Sequence, residues 1–182
     1  LAVPFSGLLD RAARKLMAQE LANLDETPAH YRSVLNQNAL DNMDVAIASI
    51  RREIQRMLLL TEEMMLPVMD LFKEYDSARM ENIVKKDLII NEALNGTRRY
   101  VSELSGLNSS KNSNESHRKE LRNLLEFAIA IEAAGDVVSK TLSKLAANKD
   151  REGVRFSSEG LTELRSMHDK VIANISLAGN VL

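Results

Sequence analysis

At 182 residues the chain suits one domain of ordinary size, and 45% hydrophobic with 27% charged residues provides both a core and a solvated surface, which argues against disorder. The formal net charge is −2 with no basic stripe, so nucleic acid is not an expected partner. No cysteine is present, which excludes disulfides, thiolate metal sites and cysteine nucleophiles. An aromatic share of 4% with 7 Gly and 3 Pro favours an all-α fold over a β-sandwich.

The opening Leu1 to Leu9 is apolar, too short to span a bilayer, and lacks the charged start and cleavage site of a signal peptide. Read alone, it is a tail or a small helix on the bundle. Arg11, Arg14 and Lys15 come directly after it, as on a cytoplasmic flank. Residues 1–28 therefore read as an N-terminal juxtamembrane or linker segment, and residues 29–182 as the helical bundle.

After the polar stretch Tyr31 to Asn38, Met43, Ile47, Ile50, Ile54, Met57, Thr61, Met64, Val68 and Phe72 recur at steps of three and four. The spacing predicts a helix over about residues 40–75, capped by Asp41 or Asn42 and kinked at Pro67. Asp76 and Ser77 make a short break, which allows only an antiparallel return. The second seam reads Met80, Ile83, Asp87, Ile90, Asn91, Leu94, Thr97, Val101 and Leu104. Leu107 to Asn114 is a polar Ser/Asn loop, expected to be mobile and protease-sensitive.

A third helix is predicted from about Glu115 to Asn148, with Leu121, Leu125, Ala128, Glu132, Gly135, Asp136, Ser139, Leu142 and Leu145 on one face. The charged connection Lys149 to Phe156 contains Gly153. Ser157 or Ser158 then caps a fourth helix with Glu159 in its first turn and Leu161, Leu164, Met167, Val171, Ile175 and Ala178 as its apolar face. Each helix is apolar on one stripe only, so the stripes must meet in an elongated antiparallel up-down bundle.

Two places break the apolar seams. Asp87 and Asn91 are four apart on the second helix, and Glu132 and Asp136 are four apart on the third, so each pair shares a face. A buried carboxylate must protonate, pair with a cation or stay wet. One reading is a hard-cation site, because carboxylate and amide oxygens suit Mg, Mn or Ca and could serve Fe. The other is a hydrated groove in which Glu132 and Asp136 pair with Arg98 or Lys86, or face solvent. Enzymatic motifs are missing: none of His30, His117 and His168 stands three residues after a Glu, and no Gly-rich phosphate loop occurs. No enzyme activity is expected. His168, near the fourth seam, reads as a packed or edge histidine.

The segment Leu124 to Val138 resembles the PhoU family. Glu132, Gly135 and Asp136 match its Glu-x-x-x-Asp motif, and Asp87 matches the first position of its second acidic pair. Asn91 stands at that pair's second position, a departure that removes one charge. The resemblance implies a PhoU-like fold of one three-helix repeat plus the opening helix of a second. It also implies a metal site at Asp87, Asn91, Glu132 and Asp136, for Mg, Mn, Ca, Fe or Zn. The run Arg151, Glu152, Gly153, Val154, Arg155, Phe156 and Ser157, with Leu35 to Leu40, is similar to PhoU-like domains fused behind sodium/phosphate cotransporter membrane domains.

That resemblance implies a regulatory domain of a sodium-dependent inorganic phosphate transporter, on the cytoplasmic face of the plasma membrane. Its partner would be a membrane domain in the same polypeptide, the bundle is expected to be truncated at its C-terminus, and a homodimer is compatible with such a fourth helix. Leu1 to Leu9 would then be the exit from the last membrane segment. Two alternatives stand beside it. One is a free-standing PhoU-type adaptor that binds a sensor kinase or phosphate transporter. The other is a metal-binding carboxylate bundle.

Overall fold

Asn42 starts the first long helix: its side-chain oxygen accepts the Val45 N–H at 3.3 Å and satisfies one of the donors a helix start leaves unpaired. The computed structural model describes residues 32–107 and 115–182. The bundle is the unit Ser33–Leu182. The linker expected over residues 1–28 and the body of the Ser/Asn loop lie outside the described residues.

A 3-10 turn at Gln37–Ala39 precedes α1, Met43–Met65. Pro67 cannot donate to the helical ladder, and instead of a kink inside one helix it separates two. Leu66 closes α1 on the Glu62 carbonyl, and Pro67 opens the short α2, Val68–Lys73. Asp76 then accepts the Ala78 and Arg79 N–H groups at 2.8 and 3.2 Å and starts α3, Ser77–Leu107. α4 is Glu115–Asp136, and it runs through a π-turn at Val137–Leu142 into α5, Ser143–Arg151. Gly153, at φ +64, turns the chain where a side chain would be strained. Ser157 accepts the Gly160 N–H at 3.0 Å and caps α6, Ser158–Gly179.

Among the described residues every regular element is helical, and the architecture is a helical bundle. Ile50, Ile54, Met57 and Met64 of α1 meet Ile83, Ile90, Tyr100 and Leu104 of α3 and Leu121, Ala128 and Ile131 of α4. Cross-helix contacts fix the directions. Glu63 pairs with Lys86 while Asn36 bonds Tyr100, so α3 runs back along α1. His117 lies by Asp44 and Gly135 by Met64, so α4 runs parallel to α1. His168 Nε2 bonds the Met65 carbonyl at 2.9 Å and Gly179 lies against Leu58, so α6 returns along α1.

Two seams differ from the sequence expectation. Along α4 the buried positions are Leu121, Leu124, Ala128, Ile131, Gly135 and Val138, which would continue to Leu142 and Leu145. The π-turn inserts one extra residue into the turn and rotates the helix beyond it. Ser139 is buried as expected, but Ser143 and Ala146 are buried in place of Leu142 and Leu145, and Leu145 is 51% exposed. On α6 the side toward α1 carries Leu161, Leu164, His168, Ile172, Ile175 and Gly179, none fully buried, while Met167 and Val171 are 64% and 41% exposed. His168, its side chain only 10% exposed, is a packed histidine, one of the two expected readings, and occupies the place expected of Met167.

Candidate functional site

α3 carries Asp87 on its core face, between Ile83 and Ile90, with only 5% of its surface exposed. Its Oδ1 points at the α4 backbone, 3.4 Å from where a Cβ on Gly135 would stand. That oxygen has no hydrogen-bond partner, and neither has the buried Ser139 Oγ in the π-turn. The Ser139 hydroxyl still lies near enough to favour the Asp87 carboxylate, without the geometry of a normal hydrogen bond. Glu132 and Asp136 are half-buried at the rim of the same seam rather than in the core. Asn91, also half-buried, makes no hydrogen bond to the other three. The structure therefore brings Asp87, Glu132 and Asp136 into one electrostatic group and leaves Asn91 beside it.

The side chain that completes the group is Lys140, which sequence reasoning did not select. Its ammonium bonds Asp136. Of the partners weighed from sequence, Lys86, next to Asp87 in the chain, turns to Glu63 of α1 at 2.8 Å. The signal for Lys140 was present as an acid with a base four residues after it, a spacing that pairs side chains on one helix face.

Burial is the main reason the Asp87 carboxyl is held above its ordinary range. Ser139 and Lys140 oppose that shift, while Asp136 and Glu132 add to it. Lys140 is pushed the same way, chiefly by its hydrogen bond to Asp136 and then by the charges of Asp136, Asp87 and Glu132, against a desolvation that lowers it. A carboxylate whose folded pKa is raised binds more protons folded than unfolded. It therefore costs stability once ionised: the penalty is absent below the unfolded value and grows as pH rises through the folded one. Asp87→Asn should raise the unfolding free energy by about 1 kcal/mol at neutral pH and leave it unchanged near pH 3.5, below the unfolded aspartate range. Urea unfolding of both proteins across that range checks this, and an Asn variant less stable at neutral pH would show that the charge is required.

A hard cation needs about six oxygens at short range. Among the described residues no group of three or more His, Cys, Asp or Glu side chains converges as a ligand set. Asp136, one of the four residues of the expected metal site, is engaged by Lys140. Cavities of about 460 and 430 Å³ lie elsewhere, one lined by Met43, Leu104 and His117 and the other by Phe72, Lys149 and Phe156; neither includes a residue of the acidic group.

A second buried carboxylate also escaped sequence reasoning. Glu53, fully buried on α1, accepts the Val34 N–H at 2.8 Å, and burial raises its pKa against that bond and the nearby Arg56. It holds the segment before α1 in place.

Among the described residues the class so defined is a helical bundle with a carboxylate group between two of its core helices and an exposed lysine at the rim. No family model matches the chain, and no solved structure matches it. Among curated proteins it is similar to a Salmonella typhimurium (strain LT2) protein named "Putative inorganic phosphate export protein YjbB", with 27% identity over 182 residues. The alignment covers 98% of this chain and 32% of that protein, so the chain spans about a third of its relative's length.

Proposed function

We propose that this chain is a helical regulatory domain of a larger protein that moves inorganic phosphate across a membrane, with a PhoU-like fold. The observation that carries the reading is the similarity along 98% of the chain to a protein whose name states phosphate export. The resemblance of Glu132, Gly135 and Asp136 to the PhoU motif supports the same reading from the residues. The remaining two thirds of the relative's length leaves room for a membrane part in the same polypeptide, the proposed partner. Among the described residues no helix is long and apolar enough to cross a membrane, so the role assigned to the bundle is control rather than passage. Its proposed place is the cytoplasmic face, and its work is binding and coupling, without catalysis. The name of the relative makes export the first direction to measure, with sodium-driven uptake as the comparison.

Regulation requires that the bundle have two states which the transport path distinguishes. The test is radiolabelled phosphate flux from cells carrying the full-length protein, intact or lacking residues 33–182, with membrane levels matched. The intact protein should give flux that varies with internal phosphate, and the truncated protein should give flux that no longer varies. Flux with the same phosphate response in both proteins would reject regulation by this domain. No phosphate flux from the intact protein would reject the transport link itself.

A further inference from the structure

The turn after α5 gathers cations and aromatic rings around one cavity. α5 ends in a double closure: the Val154 N–H donates to the Lys149 carbonyl at 3.1 Å and the Gly153 N–H to the Asp150 carbonyl at 3.0 Å, with Gly153 at φ +64. The closure satisfies two carbonyls that a helix end leaves unpaired, and it turns the following residues back past that end. Phe156 thereby meets Phe72 of α2 edge-on, ring centres 6.0 Å apart, and the Lys149 ammonium stands 5.8 Å over the Phe156 ring. These side chains line a cavity of about 430 Å³, a volume within the range of small-molecule sites.

The wall is of two kinds. Phe72, Val154, Phe156 and Leu161 are apolar, while Lys73, Lys149 and Arg155 are cationic against a single acid, Asp150. Lys73 shares its charge with Asp70 at 3.5 Å. Among the described residues Lys149 and Arg155 make no ion pair, with Asp150 or with any other acid. Two uncompensated cations on one cavity wall favour an anion, in a chain whose net charge is −2. A bare anion would leave the apolar wall wet, with Phe156 39% and Val154 48% exposed. We propose that this cavity binds a small organic phosphate, its phosphate group between Lys149 and Arg155 and its apolar body against Phe72 and Phe156. A phosphomonoester carries nearly two negative charges at neutral pH, one for each cation. The Arg155 guanidinium presents a planar fork of donors suited to phosphate oxygens, and the Lys149 ammonium adds a point charge. A flat apolar body would cover ring surface that water now reaches. The inference stands on α2, α5 and the turn that follows, and is independent of the phosphate-transport reading.

The test is titration of the isotope-labelled whole chain with phenyl phosphate, read from amide NMR shifts, with inorganic phosphate and phenol as the two halves of that probe. Phenyl phosphate should give saturable shifts at millimolar or lower concentration, centred on Phe72 and residues 153–156. Each half alone should bind at least about tenfold more weakly, because it reaches only one kind of wall. Arg155→Gln, at an exposed position where the fold should persist, and Lys149→Gln should each weaken phenyl phosphate about tenfold, the loss of one charge-assisted hydrogen bond. Arg155→Lys should retain most of the affinity, and Arg165→Gln, an exposed cation of α6 outside this cavity, should retain all of it. Unshifted α1 and α3 amides in each variant confirm that the bundle is intact. The inference is overturned by the lack of a saturable shift at millimolar phenyl phosphate, or by inorganic phosphate binding as tightly. It is equally overturned by full affinity in both Gln variants, or by shifts scattered over lysines and arginines elsewhere.

Discussion

Tyr100→Ala is expected to remove about 3–5 kcal/mol of stability, the cost typical of deleting a buried aromatic ring. Tyr100 is 1% exposed and is the largest of the fully buried side chains. Its ring fills the core face of α3 one turn from Leu104 and Thr97, both also buried. Its hydroxyl donates to the Asn36 carbonyl at 2.6 Å, across 64 residues of sequence. The same segment is held a second time where Glu53 accepts the Val34 N–H. The ring and the hydroxyl can be separated by substitution. Tyr100→Phe keeps the packing and loses the bond, and should cost only about 1 kcal/mol, because the Asn36 carbonyl also accepts the Ala39 N–H and that residue is exposed to water. Urea unfolding with a common m-value measures both. Equal losses in the two variants would mean that the hydroxyl, and not the ring, carries the effect; a loss below about 1 kcal/mol in Tyr100→Ala would mean the site collapses easily.

How far the fold could be read in advance depended on local chemistry. Met43 to Phe72 keep one period, Pro67 cannot donate, and Asn42 and Ser157 sit where a cap is needed, so these features were legible in residue types alone. The π-turn was not, because Val137 to Leu142 is ordinary helical sequence and nothing in it announces an extra residue per turn. The register beyond Asp136 was lost with it, which placed Leu142 and Leu145 on the core face in place of Ser143 and Ala146. α6 offered two neighbouring apolar stripes. The choice between them is made by tertiary contacts, namely His168 on the Met65 carbonyl and Gly179 beside Leu58, whose Cδ2 lies 3.5 Å from where a Cβ on Gly179 would stand. At the candidate site, Asp87, Glu132 and Asp136 could be found because acids interrupt an apolar pattern. Glu53 interrupts one too, but it lies beside the α1 seam rather than on it, and its bond to the Val34 N–H leaves no mark in the sequence.

The polar group also shows how a bundle core tolerates charge. Asp87 stands between Ile83 and Ile90, where an apolar side chain would fill the space at no electrostatic cost. What makes the position tenable is the other helix. Gly135 brings the α4 backbone close, and the π-turn after Asp136 carries the buried Ser139 while Lys140 stays at the rim. The backbone irregularity and the buried carboxylate are therefore neighbours in space, the pattern expected when local regularity is given up for a polar arrangement.

That close approach makes Gly135 sensitive to the size of a side chain placed there. A Cβ there would stand 3.4 Å from Asp87 Oδ1, 3.5 Å from Ile90 Cδ1 and 3.8 Å from Met64 Cε. Gly135→Ala adds one tight but tolerable contact set and gains about 1 kcal/mol of helix propensity, so the two nearly cancel and the variant should stay close to the parent in stability. Gly135→Leu has no such room: its branch must displace Ile90 or Met64, both buried, and separate α4 from α3. Overpacking of this kind costs about 3 kcal/mol, the upper part of its usual range. The mechanism predicts its own relief. Met64→Ala alone should destabilise by about 2 kcal/mol or more, yet combined with Gly135→Leu it frees the volume the new side chain needs, so the pair should lose clearly less than the sum of the singles. Unfolding free energies of the four proteins complete the cycle. Strict additivity, or a Gly135→Leu chain as stable as the parent, would mean that α4 can move away from Asp87 without loss, and that the close contact at Gly135 does not hold the acidic group together.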